Sequence, residues 1–204
     1  MTRWGMALDL KRCVGCNACT LACKQENGTP RGVFFTKTVS EEVGHYPNVT
    51  RVYTPLICNH CKDAPCLNAC PTGATYQTDE GLILVDDDKC MGCRACYVAC
   101  PYKHRTYLSK DNLEKNTWFP NHVTAFEKSK LREFQAGTVV KCSFCEHRLA
   151  EGKEPACVIT CPAVARIFGD LDDPNSEIRR EIARRDGYQP LAELGTDPSV
   201  FYLE

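Results

Sequence analysis

The sequence predicts an α+β fold in which two small cysteine-bound units interleave along one chain. Three observations carry that expectation. All sixteen cysteines fall into four groups of four. Short apolar stretches stand beside the groups, where outer strands would be. The segment between the second and third groups reads as a tight hairpin, which makes those two groups one continuous unit and leaves the first and fourth to pair around it.

In chain order the groups are Cys13, Cys16, Cys19, Cys23; Cys58, Cys61, Cys66, Cys70; Cys90, Cys93, Cys96, Cys100; and Cys142, Cys145, Cys157, Cys161. The first and third follow C-x2-C-x2-C-x3-C, the run of bacterial two-cluster ferredoxins. The second widens one gap between Cys61 and Cys66, and the fourth widens it further between Cys145 and Cys157. Proline follows the last cysteine of three groups (Pro71, Pro101, Pro162), whereas Lys24 stands there in the first.

An iron-sulfide cubane needs four thiolates arriving from different directions. Three cysteines at three-residue intervals let one loop wrap three corners, and the last cysteine, ahead of a proline-turned exit, reaches the neighbouring cluster. The sixteen thiolates therefore predict four 4Fe-4S clusters in two cross-linked pairs. The expected ligand sets are Cys13, Cys16, Cys19 with Cys161; Cys142, Cys145, Cys157 with Cys23; Cys58, Cys61, Cys66 with Cys100; and Cys90, Cys93, Cys96 with Cys70. A disulfide framework suits short exported chains, and this sequence shows no signal peptide, because Asp9 and Lys11 interrupt the N-terminal apolar stretch. Structural zinc is the stronger rival, but zinc favours two separated cysteine pairs over three in a row followed by Cys-Pro.

Taken along the chain, Met6 to Asp9 and Val52 to Leu56 are expected strands before the first and second groups. Tyr102 to Tyr107 and Ala165 to Phe168 are expected strands after the third and fourth. A helix is expected near each third cysteine. Thr78 to Gly81 is the predicted hairpin turn, with Leu82 to Val85 as its second strand. The expected organisation is an outer unit of residues 1–23 plus 138–170, an inserted unit of 52–107, insert loops at 24–51 and 108–137, and a partner-contacting tail at 171–204. The second insert and its approach carry Tyr102, Tyr107, Trp118, Phe119, Phe126 and Phe134, an aromatic load that suits either a satellite core or an interface. In the tail, EIRREIARRD (Glu177 to Asp186) reads as a charged helix after DDPNSE, with Arg179, Arg180, Arg184 and Arg185 toward solvent or a partner subunit. His60, His104 and His147 lie near complete quartets and are read as packing or hydrogen-bonding residues.

The formal net charge is −1, which gives no basic footprint for nucleic acid. Four clusters at about −2 each would take it to about −9. Basic residues accompany every group: Lys11, Arg12 and Lys24; Lys62; Lys89, Arg94 and Lys103; Lys141 and Arg148. Most suit a solvated surface, and Arg94, inside the third group, is the sharpest candidate for raising a cluster potential. The longest stretch free of Asp, Glu, Lys and Arg is the fifteen residues Ala64 to Thr78, too short and too polar to cross a bilayer. There is no three-cysteine open-iron triplet, no G-x-G-x-x-G and no phosphate-loop lysine, so outer-sphere electron transfer is expected rather than bond making.

The four groups, their discontinuous pairing and the phrase ARIFGDLDDPNSE after the last Cys-Pro together resemble the iron-sulfur subunit of the dimethyl sulfoxide reductase superfamily of molybdopterin oxidoreductases, most nearly those of respiratory arsenate, polysulfide and thiosulfate reductases. The resemblance runs from Gly5 to Leu203. In the nitrate reductase branch tryptophan replaces one third-group cysteine; Cys93 stands at that position here, which implies four four-iron clusters. The resemblance further implies a non-catalytic relay between a molybdenum or tungsten pterin subunit and a membrane quinone or quinol subunit, or another redox partner. The pair from groups one and four would lie toward the catalytic subunit, and the cluster of Cys90, Cys93, Cys96 and Cys70 would be the outer one. It also implies a membrane-associated periplasmic site reached by co-export with a signal-bearing catalytic subunit, with a cytoplasmic site as the alternative. A polyferredoxin-like subunit of a hydrogenase or formate dehydrogenase complex is the second electron-transfer reading, and a zinc-organised binding module is the reading from another class.

Overall fold

The computed structural model describes residues 2–114, 124–131 and 134–204. Trp118 and Phe119 of the aromatic insert lie outside the described residues. Strand β1 (Trp4–Asp9) leads into the first cysteine group, and α1 (Ala18–Asn27) carries that group's last two cysteines. A long hairpin follows, β2 (Thr36–His45) and β3 (Asn48–Ile57), then α2 (Pro65–Asn68) in the second group and the short hairpin β4 (Thr75–Gln77) and β5 (Ile83–Val85). The third group holds α3 (Ala95–Ala99), followed by β6 (Thr106–Tyr107), α4 (Lys110–Glu114) and α5 (Ala125–Leu131). Strand β7 (Val139–Val140) precedes the fourth group, which contains α6 (Glu146–Leu149) and α7 (Ala156–Ile159). The chain ends through β8 (Arg166–Asp170), α8 (Glu177–Arg184) and β9 (Val200–Leu203).

Strand β1 is the spine. It pairs antiparallel with β8 from Trp4↔Asp170 to Leu8↔Arg166, and parallel with β9 from Met6↔Val200 to Asp9↔Leu203. A central strand covered on both faces needs an unbroken buried run, and Gly5 to Asp9 supplies one. Met6 and Leu8 point to the side of the cysteine groups, where they pack with Ile57, Phe144 and Tyr202. Ala7 points the other way, toward Ile178 and Ile182 of α8. Gly5 has no room for a side chain, because a Cβ there would come within 2.6 Å of Leu171 Cγ and 2.8 Å of Ser199 O.

The expected charged helix forms as α8, capped by Ser176 Oγ, which accepts from Arg179 N at 3.3 Å. Its two isoleucines, one turn apart, are buried against the sheet, each stabilising the docking by roughly 1.5–3 kcal/mol. Arg179 and Arg180 are exposed as expected. Arg184 pairs with Glu181 on the helix surface, but Arg185 turns inward to a two-point ion pair with buried Asp9. The tail, expected to contact a partner, also has a place within the fold. Beyond α8 it returns to add β9 to the sheet, and Ser199 N and Oγ donate to Asn59 O and His60 O while Lys62 N and Asp63 N donate to Asp197 O and Thr196 O. The tail thus satisfies the backbone of the second cysteine loop, which has no sheet of its own.

Half of the insert expected as a loop at 24–51 is instead a ladder, with β2 and β3 in register from Thr36↔Ile57 to His45↔Asn48. Its far half is exposed on both faces, so its sequence carries no alternation to read. The predicted β4–β5 hairpin forms around Thr78 to Gly81, where Gly81 (φ 78°) donates back to Thr78 O at 3.0 Å. The strand at Thr106–Tyr107 pairs with β7, ahead of the fourth group. Among the second-insert aromatics, Phe134 packs with Val33, Leu108 and Val140, whereas Phe126 is exposed.

Candidate metal centres

The cysteine loops share one backbone device. The residue just before the second cysteine of every group has positive φ: Gly15 (67°), His60 (42°), Gly92 (67°) and Phe144 (55°). A left-handed residue reverses the chain between two thiols, so that both face the same space. In the first and third groups a second such residue, Asn17 or Arg94, precedes the helix that carries the third cysteine. A Cβ on Gly15 would enter the Tyr53 ring and one on Gly92 would strike Gly137 O, so glycine is required there by space as well as by φ.

Two cavities lie inside these loops. One, of about 340 Å³ including its open mouth, is lined by Cys13, Cys16, Cys19 and Cys161. The other, of about 350 Å³ again including its open mouth, is lined by Cys58, Cys61, Cys66 and Cys100. Each draws three cysteines from one group and the fourth from the group expected to pair with it.

A third set of cysteines also comes together. Cys23 faces Cys157 and Cys145, and Cys142 faces Cys23 and Cys157. Asn27 Nδ2 joins the set at 3.4 Å from Cys23 Sγ and 3.9 Å from Cys145 Sγ. For the fourth set, α2 lies against α3, which brings the loop ending in Cys70 beside the loop of Cys90, Cys93 and Cys96.

The quartets adjoin in order. Cys157 lies near Cys19 of the first, Cys142 lies near Cys58 of the next, and Arg105 lies near both Cys66 and Cys96. Exposure follows that order. Cys16 and Cys93, in the two end sets, are exposed, while Cys23, Cys142, Cys145 and Cys157 are all buried. Exposed apolar side chains stand in the cysteine loops at the two ends: Val14, Leu21 and Val164 at one, and Met91, Tyr97 and Val98 at the other.

The thiol chemistry fits a metal cluster. Burial pushes Cys23 and Cys61 up to about 12 and Cys157 up to about 11, with neighbouring thiolates adding to the rise. Such groups release their protons only when a bound metal answers the charge. Cys70 is the opposite case: its slight burial is outweighed by hydrogen bonds from Thr75 and Thr72, which bring it down to about 7. Backbone N–H groups also donate to sulfur, from Phe144 to Cys142, Thr75 to Cys70 and Ala165 to Cys161, each at 3.3 Å. Hydrogen bonds of this kind tune cluster potentials. With the cavities, this donor set fits 4Fe-4S clusters.

Among the bases singled out in the sequence, Arg94 is exposed and lays its guanidinium 3.8 Å over the Tyr107 ring. Lys24, in place of the proline, donates through Nζ to oxygens of Thr29, Pro30 and Val33 at 3.0–3.1 Å and so folds the start of the first insert. Lys141 is buried and bonds Cys142 O at 2.6 Å. His147 and Arg148 hold Glu26, and His104 stacks on Tyr102. His60 accepts from Ile83 N at 3.0 Å and stacks on Phe144 at 3.9 Å. Sequence reasoning passed over two buried arginines, Arg105 and Arg166, which line the two cavities. The available signal was their matched place, five residues after Cys100 and Cys161.

Residues 12–74 match a 4Fe-4S dicluster domain family, and residues 49–125 and 111–171 match a second family of the same description. Two dicluster domains imply four 4Fe-4S clusters, as the sixteen cysteines do. The chain is 43% identical over 216 residues to the putative iron-sulfur subunit of a dimethyl sulfoxide reductase of Halobacterium salinarum, spanning 100% of this chain and 79% of that protein. It is 41% identical to a subunit of the selenate reductase of Mesobacillus selenatarsenatis, over 98% of this chain and 72% of the relative. To the iron-sulfur subunit of the arsenate respiratory reductase of a Shewanella species it is 39% identical, over 98% and 96%.

Proposed function

Because the chain belongs to the family of iron-sulfur subunits of dimethyl sulfoxide reductase-type respiratory oxidoreductases, we propose that it is the non-catalytic relay of such a complex. In this reading it passes electrons one at a time through four 4Fe-4S clusters between a molybdenum or tungsten pterin subunit and a membrane quinone or quinol subunit. The observation that carries the reading is the make-up of the two cavities, each with three cysteines of one group and the Cys-Pro cysteine of another.

In this reading the ligand sets are these. Cys13, Cys16, Cys19 and Cys161 bind the first cluster, and Cys142, Cys145, Cys157 and Cys23 the second. Cys58, Cys61, Cys66 and Cys100 bind the third, and Cys90, Cys93, Cys96 and Cys70 the fourth. Residues 1–23 with 138–170 form one dicluster unit and 52–107 the other. The clusters supply reversible one-electron chemistry, while the chain spaces them, excludes water from the middle of the row and leaves its two ends accessible. The exposed apolar residues near Cys16 and Cys93 in sequence support one protein partner at each end, the catalytic subunit at the first and the membrane subunit or another redox protein at the second.

Among the described residues no helix is long and apolar enough to cross a membrane; in the proposed complex attachment falls to partners. We place the complex on the periplasmic face after co-export with a signal-bearing catalytic subunit; protection from protease added to spheroplasts would instead put it in the cytoplasm. Metal analysis of the complex, purified anaerobically through a tag on this chain, tests the function. About sixteen irons per chain with stoichiometric molybdenum or tungsten is the expected result. Nickel in their place would point to a hydrogenase-type complex, and zinc instead of iron would overturn the reading.

A further inference from the structure

The two cavities share a wall element from matched positions of an internal repeat. Arg105 stands five residues after Cys100 and lines the cavity of Cys58, Cys61, Cys66 and Cys100; Arg166 stands five residues after Cys161 and lines that of Cys13, Cys16, Cys19 and Cys161. Both are buried, with 3% and 2% of their surface exposed. Each is tethered by one guanidinium nitrogen to a buried threonine of another segment. Arg105 Nη1 donates to Thr75 Oγ1 at 3.1 Å and Arg166 Nη2 to Thr36 Oγ1 at 3.0 Å. The corresponding places after Cys23 and Cys70 hold Gly28 and Thr75, so each unit carries this arginine once, and in the inserted unit the threonine at one repeat position anchors the arginine at the other.

A buried guanidinium is costly unless something answers its charge. Among the described residues neither arginine makes an ion pair with a carboxylate, and Arg105 Nε and Nη2 find no oxygen partner but face the Cys66 sulfur. The groups that do face them are cysteines, negative once a metal is bound: Cys66, Cys96 and Cys58 for Arg105, and Cys157, Cys19 and Cys142 for Arg166. Burial alone would pull both guanidinium pKa values down, yet these thiolates push them up. The exposed bases near the groups, such as Lys62 and Lys89, are screened by water and act weakly by comparison.

We propose that Arg105 and Arg166 are matched internal counter-charges, one per dicluster unit, each holding the cluster whose cavity it lines at a higher reduction potential than its thiolates alone would set. Reduction adds negative charge to a cluster, and a fixed cation at the cavity wall, tethered so that it cannot turn to solvent, stabilises the reduced form more than the oxidised one. Both are positioning residues: they take no electron and bind no iron. The proposal rests on the ligand assignment given above.

The test is an anaerobic redox titration of the intact complex, followed by electron paramagnetic resonance, for Arg105→Gln, Arg105→Lys and Arg166→Gln, with iron measured in each. Arg105→Gln is expected to make one cluster at least tenfold harder to reduce, about 59 mV for a one-electron couple, while Arg105→Lys keeps most of the wild-type potential and Arg166→Gln moves a different signal. Full iron with unmoved potentials, or equal shifts in the Gln and Lys proteins, overturns the proposal. If Arg105→Gln sheds iron, Arg105→Lys decides: retained iron and potential upholds a need for charge, and the same loss shows that only the shape of the side chain mattered. A wild-type iron count far from about sixteen per chain would sink the cluster assignment instead, and is read separately from the shifts.

Discussion

The first and third cysteine groups and the second and fourth solve one backbone problem with opposite chemistry. All four turn between their first two thiols through a left-handed residue. The two regular groups use glycine, at Gly15 and Gly92, each with an exposed cysteine beside it and a neighbour closing over it. The two stretched groups use His60 and Phe144, residues for which the left-handed region costs roughly 1–2 kcal/mol. Those two are fully buried and stacked on each other at 3.9 Å. Where a loop faces outward the turn is made permissive, and where two loops face each other the turn residue becomes the joint between the units.

That contrast can be broken most severely at its glycine side. Gly92→Ala puts a methyl group onto Gly137 O in a backbone region alanine avoids, and is expected to remove the fourth cluster. Iron analysis should find about twelve irons per chain and the corresponding resonance missing. On the other side, Phe144→Ala empties the joint and is expected to cost about 3–5 kcal/mol, read by chemical denaturation of the complex, with His60 losing its stacking partner.

The sheet behind the first and fourth groups offers a third, smaller test. Burial raises the Asp9 carboxyl, but Arg185, Arg12 and the backbone N–H of Arg12 hold it below its usual range. A carboxylate with a lowered folded pKa stabilises the fold above its unfolded value, near 3.8, and that contribution is lost as pH falls through the folded pKa. Proteolysis of the segment containing α8 should therefore quicken below about pH 4, ahead of any change in the β4–β5 hairpin, and Asp9→Asn should show the faster cutting already at neutral pH. The smallest effect is expected at Arg94, a left-handed position in a regular group whose guanidinium rests on Tyr107. Arg94→Gly relieves the turn and removes a surface cation–π contact worth about 0.5–1 kcal/mol, so thermal unfolding should move little, and cluster potentials should move less than in Arg105→Gln.

Cysteine spacing made the four loops legible, because metal ligation is read residue by residue, and two of the expected mixed quartets line one cavity each. The β4–β5 hairpin and α8 were legible for a local reason as well, through turn residues and a cap close in sequence. Strand β9 was not, since VFYL becomes a strand only by lying parallel to Met6–Asp9 at the other end of the chain. The β2–β3 ladder was hidden by exposure on both faces, which leaves TKTVSEEVGH without a periodic signal. Arg105 and Arg166 read as ordinary charged residues in sequence, because burial is a property of what packs over them.

The parallel pairing of β1 with β9 bears on the order in which the protein is completed as it is made. On the proposed assignment the inserted unit has every ligand once Cys100 is available, and its hairpin is local. The spine strand, made first, waits for residues 166–170 and 200–203 before either of its edges is covered, and Cys13, Cys16 and Cys19 wait for Cys161. On that assignment the earliest thiols to be synthesised are thus among the last to meet their fourth partner, and because Thr196, Asp197 and Ser199 also hold the second cysteine loop, neither unit is finished until the C-terminal residues have been made.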